Sequence, residues 1–334
     1  MATAEQIRAL VDSHGNGDDA RFRSVAMQVA ARAAKQGHSR LADDIRKLLD
    51  DAAAAADLPQ SHPGIVRPVP IAKPAAELAG LLVASYPRTR LGSMVLSDSL
   101  ATELRKLVSE YHHRDRLRSH GLEPRLKLML VGPPGCGKTM TAAALAGECS
   151  LPLMAVQLHG LMTKFMGETA AKLGQVFAAM DDRPAVYLFD EFDAIGATRG
   201  AGSDVGEVRR VLNSFLQFLE QHRGDSFIVA ATNLIGMLDD ALFRRFDAVL
   251  RYARPEPAEA RPLIANRLAA FDLKSVNWKK ISAAAVSLSH AEIVRAAEEA
   301  ARAFVLDDRA RIETADLERA LRERAMFRSD AEVS

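Results

Sequence analysis

The sequence has little cysteine, few aromatic residues and almost no net charge. Its two cysteines, Cys136 and Cys149, are too few for a disulfide framework, and their spacing matches no zinc-binding pattern. We therefore expect a chain that works in a reducing compartment, the cytoplasm. Aromatic residues make up 5% of the 334 residues, and the formal net charge is +1. These values argue against a strongly basic nucleic-acid coat and an acidic disordered tail, but they do not exclude a local basic groove.

Long apolar runs are also missing. The longest apolar stretch, residues 75–86, is shorter than the roughly 20 residues that span a bilayer. The first residues contain neither the basic segment nor the apolar segment of a secretory leader. We therefore expect no signal peptide and no insertion into a membrane.

The residue pattern divides the chain into four segments. Near the start, Phe22, Val25, Ala26 and Val29 form one apolar stripe at helical spacing. Prolines then cluster between residues 57 and 75, where they stiffen the chain. We predict a helical module at residues 1–56, a proline-rich linker at 57–93, an α/β domain at 94–254 and a helical lid subdomain at 255–334.

The predicted α/β domain carries four short apolar runs that alternate with helical patterns. Strands that are buried on both faces read as continuous apolar runs, and helices between them provide the parallel crossover connections. The predicted fold class is therefore α/β, with a parallel sheet covered by helices on both faces. The predicted strands are residues 126–131, 153–158, 185–189 and 227–231.

A glycine-rich segment lies between the first of these strands and the next helix. It matches the pattern G-x-x-x-x-G-K-[ST] and consists of Gly132, Pro133, Pro134, Gly135, Cys136, Gly137, Lys138 and Thr139. Such glycines let backbone N–H groups surround phosphates, while the lysine reaches the β- and γ-phosphates and the threonine hydroxyl binds Mg²⁺. We add the following residue, Met140, to the predicted nucleotide-binding set. Cys136 is either a small filler or, at a helix N-terminus, an oxidisable thiol.

Two further strand ends lead into polar residues. Asp190 and Glu191 follow the third predicted strand, and Asn233 follows the fourth closely. The carboxyl ends of parallel strands meet at the ligand crevice of such sheets. Asp190 is predicted to hold Mg²⁺ through water, Glu191 to deprotonate the attacking water, and Asn233 to bond the γ-phosphate or that water.

These motifs, in this order and spacing, resemble those of AAA+ ATPases. The resemblance is to the branch that contains FtsH-like proteases, katanin-like severing enzymes and ESCRT-disassembling ATPases, and it covers residues 94–326. It implies that the chain hydrolyses ATP with Mg²⁺, that it assembles with copies of itself into a hexameric ring, and that Asn233 is the family's sensor-1 residue.

The resemblance also assigns residues to the subunit interface. Residues 238–247 are similar to the segment whose arginine fingers reach the nucleotide of the neighbouring subunit. Arginine suits this role because it is always charged and its forked head matches phosphate. Arg244 and Arg245 are adjacent, as in the severing and ESCRT-related members, and which of them is the main finger stays open at this point.

Two segments resemble the family's pore loops. Phe165, Met166 and Gly167 match the aromatic–hydrophobic–glycine tripeptide of the first loop, whose apolar side chains intercalate with an extended polypeptide in the channel. The alternative is that Phe165 and Met166 are core residues of a loop. Residues 194–204 resemble the second pore loop, and a plain flexible connection is the alternative there.

Two positions depart from the family pattern. His290, which precedes Ala291, stands where the lid motif near the nucleotide usually has glycine, and the residues Val95–Ser97 lack the usual glycine of the adenine segment. The resemblance still places His290 and Ala291 among the nucleotide contacts. The preference for adenine is therefore inherited from the family.

The chain contains no H-E-x-x-H and no G-x-S-x-G motif, so a protease that it serves would be a separate polypeptide. Residues 17–48 resemble the helical head of small bacterial AAA proteins that are encoded beside a subtilisin-like protease. We expect this head to bind a substrate or adaptor, and the alternative is a packing or oligomerisation module.

We predict ATP-driven remodelling or unfolding of proteins through a ring pore. Two alternatives stay open: a nucleic-acid motor or loader, and an ATP switch that gates a partner without threading. The apolar pore loop and the near-neutral charge argue against nucleic acid as a partner, because phosphate tracking needs lysine and arginine.

Overall fold

A computed structural model describes residues 19–35, 80–161, 166–193, 205–233, 240–307 and 311–333, together with Ala9, Ser13 and Leu78. The chain forms two compact units. One is Arg67–Ala253, and the other is Met1–Val66 with Arg254–Ser334. The phosphate-loop motif and both polar strand ends lie in Arg67–Ala253.

A six-stranded sheet forms the centre of the unit Arg67–Ala253. Its strands are β1 (Leu82–Ser85), β2 (Lys127–Val131), β3 (Leu153–Val156), β4 (Val186–Phe189), β5 (Phe227–Thr232) and β6 (Ala248–Arg251). Their order across the sheet is β1-β3-β4-β5-β2-β6. Strands β2 to β6 run parallel, whereas β1 pairs antiparallel with β3 at one edge. The carboxyl ends of β4, β5 and β2 are therefore neighbours.

Helices connect the strands and make up most of the rest of the described chain. They are α1 (Asp19–Lys35), α2 (Asp98–His112), α3 (Arg114–Ser119), α4 (Lys138–Cys149), α5 (Leu158–Leu161), α6 (Met166–Asp182), α7 (Val205–Gln221), α8 (Asp240–Phe243), α9 (Ala260–Arg267), α10 (Trp278–Ala284), α11 (His290–Leu306) and α12 (Thr314–Val333). A short 3-10 helix, Leu91–Ser93, precedes α2.

Two apolar layers cover the two faces of the sheet. On one face, aromatic rings of α6 and α7 pack on β4, with the ring centroids of Phe177 and Phe215 5.6 Å apart and those of Phe189 and Phe215 5.0 Å apart. On the other face, α2 and α4 bury leucines such as Leu104 and Leu145 against the same sheet. The predicted α/β fold, a parallel sheet with helices on both faces, is confirmed, and the sheet differs from the prediction in its antiparallel edge strand β1.

Two strands were not predicted from the residue pattern. Strand β1 lies within the segment 57–93, and only its first residue is buried. Strand β6 follows the two adjacent arginines, and only Leu250 in it is buried. Both strands are four residues long and lie at opposite edges of the sheet. Edge strands with one buried residue lack the continuous apolar run that marks β2, β4 and β5.

The second unit is helical in its described part. Helix α11 buries a row of alanines and packs against α9 and α12. It begins with a capping box, in which the Ser289 hydroxyl accepts from the Glu292 N–H and the Glu292 carboxylate accepts from the Ser289 N–H. In α1, Val25 and Ala26 of the predicted apolar stripe are buried. Among the helices that the structure describes, none is long and apolar enough to cross a membrane.

Candidate nucleotide site

The glycine-rich loop joins the end of β2 to the start of α4. Gly135 and Gly137 have φ angles of 74° and 95°, in the left-handed region that favours glycine. A Cβ on Gly132 would lie 2.4 Å from the carbonyl oxygen of Tyr252, so this position has no room for a side chain. The Tyr252 hydroxyl is also 2.6 Å from the Thr141 hydroxyl on α4. Tyr252, the residue after β6, therefore packs against the loop and bonds to its helix.

Lys138 is the first residue of α4, and its side chain folds back over the loop. The residue is only 6% exposed. Its Nζ donates to the carbonyl oxygens of Gly132 at 2.7 Å and Pro133 at 2.9 Å, and to Oδ1 of Asn233 at 2.8 Å. Burial lowers the pKa of Lys138, and the nearby acidic groups, including Asp190, oppose that shift. Lys138 therefore connects the phosphate loop directly to the end of β5.

Thr139, in the first turn of α4, contacts Asp190, which follows β4. The Thr139 hydroxyl donates to Oδ2 of Asp190 at 2.6 Å, and Oδ1 of Asp190 accepts from the Glu191 N–H at 2.9 Å. Mg²⁺ prefers oxygen ligands and is usually held by one or two protein groups together with substrate phosphates. The described residues contain no cluster of three His, Cys, Asp or Glu side chains that could hold a metal alone. The hydroxyl–carboxylate pair therefore fits a Mg²⁺ site that is completed by phosphate.

Glu191 lies in an unusual backbone conformation for a residue other than glycine. Its φ is 52°, in the left-handed region, and its side chain is exposed. The bond from its N–H to Asp190 and a bond from the Phe192 N–H to the Ala231 carbonyl, at 2.8 Å, hold the turn on both sides. Such conformations are energetically costly and cluster at functional sites.

Asp193 is a polar residue of this turn that the motif reasoning missed. Its Oδ1 accepts from the buried Thr232 hydroxyl at 3.0 Å and from the Asn233 N–H at 3.4 Å. The signal that could have found it is the sheet order, because β4 and β5 are neighbours and Asp193 follows β4 closely.

The two adjacent arginines have different surroundings. Nε of Arg245 lies 2.6 Å from a carboxylate oxygen of Glu220, at the end of α7. Arg244 is exposed, and within the described part of the chain no hydrogen bond or ion pair is found for it. Arg245 is therefore paired within its own chain, whereas the neighbouring Arg244 is exposed in the turn after α8.

Comparisons with known proteins agree with this arrangement. Residues 128–254 match the family "ATPase family associated with various cellular activities (AAA)". An uncharacterized AAA family ATPase, y4kL, of Sinorhizobium fredii is 36% identical over 98% of this chain and 97% of its own length. This chain belongs to the AAA family of ATPases. It therefore binds and hydrolyses ATP.

Other AAA proteins share smaller parts of their length with this ATPase. Proteasome-activating nucleotidase 2 of Halobacterium salinarum is 30% identical over 71% of this chain and 60% of its own length. The ATP-dependent zinc metalloprotease FtsH 3 of Sphaerobacter thermophilus is 33% identical over 66% of this chain and 46% of its own length.

The remaining predicted site residues of this ATPase are placed as follows. Met140 is 43% exposed beside the phosphate loop. Phe165 lies outside the described residues, and Met166 and Gly167 are described only as the first backbone turn of α6. His290 and Ala291 begin α11 in the other unit, where burial lowers the pKa of His290. Their predicted contacts with nucleotide or substrate stay predictions.

Cys136 faces the core of the phosphate-loop unit. It is 1% exposed and belongs to the apolar layer under α4. Its Sγ lies 3.9 Å from the Pro134 carbonyl oxygen. This placement fits the small-filler interpretation, because a buried thiol is sheltered from soluble oxidants. Burial also raises the pKa of the other cysteine, Cys149, to about 12.

Proposed function

We propose that this ATPase is a ring-forming remodeller that pulls polypeptide substrates through a central pore. The proposed hydrolysis site is supported by the convergence of four side chains, those of Lys138, Thr139, Asp190 and Asn233. These side chains come from three different strand ends and are joined by bonds of 2.6 Å and 2.8 Å. Nucleophile activation and phosphate binding need groups preorganised at this spacing.

In the proposed reaction, Lys138 and the backbone N–H groups of the loop bind the β- and γ-phosphates of ATP. Thr139 and Asp190 would hold Mg²⁺, which when bound neutralises charge on the phosphate oxygens. Glu191 takes the proton of the attacking water, and Asn233 orients that water or the γ-phosphate. His290, Ala291 and Met140 are the further proposed contacts of the nucleotide.

We assign Arg244 as the main arginine finger. Arg245 is paired with Glu220 of its own subunit, whereas Arg244 extends from the adjacent position without such a bond in the described residues. An arginine that reaches a neighbouring subunit must leave its own surface, and a paired side chain would first lose its partner. An arginine finger acts in trans, so this role implies a ring of identical subunits, which we propose to be a hexamer.

A polypeptide is the substrate that the remaining features favour. The similar proteins include a proteasome-activating nucleotidase and an ATP-dependent zinc metalloprotease, whose names link ATP hydrolysis to proteolysis in those proteins. Phe165 and Met166 would contact the substrate in the pore, and the module at residues 1–56 would bind a substrate or adaptor. We propose that any protease that this ATPase serves is a separate chain and that both work in the cytoplasm.

The test is a comparison of ATP turnover with unfolding of a model substrate in two Phe165 variants. Phe165→Ala should keep the ATPase rate within a few-fold and lose unfolding, because it removes the apolar side chain that grips the polypeptide. Phe165→Tyr keeps an aromatic ring and is the matched control that should retain unfolding. Glu191→Gln should abolish both activities while ATP binding persists.

Normal unfolding by Phe165→Ala would contradict the threading proposal. If ATP turnover instead rises with added DNA and that rise disappears with salt, the chain is a nucleic-acid motor. If the substrate stays intact while the activity of a partner protease changes, the chain is an ATP switch that gates its partner.

A further inference from the structure

We propose that Asp193 is a positioning residue for ATP hydrolysis, which fixes Asn233 relative to the phosphate loop. The proposal rests on the role proposed above for Asn233. It is drawn from the bonds that join the turn after β4 to the end of β5.

The turn after β4 is attached to β5 by consecutive residues. The Phe192 N–H donates to the Ala231 carbonyl at 2.8 Å, and Oδ1 of Asp193 accepts from Thr232 and Asn233. Phe192 is fully buried against Phe215, with ring centroids 4.8 Å apart, so the start of the attachment is anchored in the core. The Asp193 carboxylate is thus held at a defined place beside the last residues of β5.

Thr232, the last residue of β5, and Asn233, which follows it, also contact the phosphate loop. The Thr232 carbonyl accepts from the Gly132 N–H at 3.3 Å, and the Asn233 side chain accepts from Lys138 at 2.8 Å. Thr232 and Asn233 therefore lie between the Asp193 carboxylate and the loop. The hydrogen bonds that Asp193 makes in the described residues are to Thr232 and Asn233, so we place it behind them and not in contact with the phosphates.

The charge of the Asp193 carboxylate strengthens its hydrogen bonds to Thr232 and Asn233. A hydrogen bond to an ionised acceptor is about twice as strong as one between neutral groups. Removing the carboxylate would leave the buried Thr232 hydroxyl without this acceptor and would release the backbone of Asn233. A displacement of a positioning group by about 1 Å can cost on the order of 100-fold in rate. Binding of ATP depends mainly on the phosphate loop and should change little.

The experiment measures kcat, KM and the dissociation constant of a fluorescent ATP analogue for variants of the full chain. Asp193→Ala should lower kcat by about 10- to 100-fold and leave nucleotide affinity within about two-fold of the wild type. Asp193→Asn keeps an acceptor oxygen but loses the charge, so it should lower kcat less than Asp193→Ala does. Asp115→Ala, which removes an exposed carboxylate elsewhere in the same unit, is the matched control.

A double-variant comparison separates positioning from a general structural role. If Asp193 acts through Asn233, combining Asp193→Ala with Asn233→Ala should lower kcat no further than Asn233→Ala alone. The inference is overturned if the fold-losses in kcat of the two single variants multiply in the double variant, or if Asp193→Ala has a normal kcat. A normal kcat in Asn233→Ala would overturn the role of Asn233 itself, and the inference with it.

A second pair of variants serves if Asp193→Ala does not fold. Thr232→Val removes the hydroxyl that donates to Asp193 at nearly constant volume, and Thr232→Ser keeps it. We expect Thr232→Val to lower kcat with unchanged nucleotide affinity, and Thr232→Ser to restore it. Equal kcat values in the two variants would count against the proposal.

Discussion

Gly147 offers a test of the packing behind the phosphate loop. It lies near the end of α4, and replacing a helical glycine by alanine ordinarily stabilises a helix by about 1 kcal/mol. Here the added Cβ would lie 2.1 Å from the carbonyl oxygen of Thr89 and 3.3 Å from that of Pro87. The close approach of another backbone should therefore reverse the usual sign of the substitution.

The size of the destabilisation by Gly147→Ala depends on how far the neighbouring backbone has to move. The backbone at Thr89 would need to shift by roughly 1 Å, and forcing extra carbon into a packed site typically costs about 1–3 kcal/mol. The adjacent Glu148 accepts from the Leu91 N–H at 3.0 Å and pairs with Arg90 at 3.4 Å, so a shift of this segment also strains those bonds. Bonds to charged groups contribute roughly 1.5–3 kcal/mol each. After the gain in helix propensity, we expect a net loss of about 2 kcal/mol.

The assay is urea and thermal unfolding of the wild type, Gly147→Ala and a matched Gly174→Ala. Gly174 lies inside α6, and its added Cβ would meet only the ring of Phe218, at 3.3 Å, which is a side chain that can move. Gly174→Ala should therefore be as stable as the wild type or more stable. For Gly147→Ala we expect Tm to fall by about 4–8 °C. A Gly147→Ala variant as stable as the wild type would refute the packing argument.

Two further predictions concern the subunit interface and pH. Rings that mix Glu191→Gln with Arg244→Ala subunits should hydrolyse ATP faster than either variant alone, because some sites then combine an intact Glu191 with a neighbour's intact Arg244. If the mixed rings show no gain in ATP turnover, Arg244 does not act in trans. Arg245→Ala should lower ATP turnover less than Arg244→Ala and about as much as Glu220→Gln, and a larger loss would reverse our assignment. Burial lowers the pKa of His222, so the unfolded chain binds a proton that the folded protein does not, and the free energy of unfolding should fall as pH falls through about 6.5. His222→Gln should flatten that slope in urea titrations between about pH 5 and 7.5, and an unchanged slope would contradict the assignment.

The sequence predicts the central part of this fold because burial there is two-sided. Strands β2, β4 and β5 are covered by helices on both faces, so they read as continuous apolar runs. The edge strands β1 and β6 have one buried residue each and so lack that signal. Their positions follow from pairing with β3 and β2, which are distant in sequence.

In the candidate site too, residues of a local motif could be predicted from the sequence, whereas residues placed by distant contacts could not. The phosphate loop can be predicted from the sequence because its glycines and lysine lie within one short segment. Asp193 carries no distinguishing local pattern, and its partners Thr232 and Asn233 lie about 40 residues away. Arg244 and Arg245 are equivalent in the sequence, and the ion pair of Arg245 with Glu220, which is distant in sequence, distinguishes them in the structure.

The contacts of Lys138 link arrival of ATP to the release of Asn233. Its ammonium group donates to the neutral oxygens of Gly132, Pro133 and Asn233. A phosphate oxygen is charged, so its bond to Lys138 is about twice as strong as a bond to one of these neutral acceptors. We therefore expect ATP to displace the Asn233 amide from Lys138, which leaves that amide available to the γ-phosphate or the attacking water. The Asp193 carboxylate would keep the backbone of Asn233 in place during this exchange, so that only the side chain changes partner.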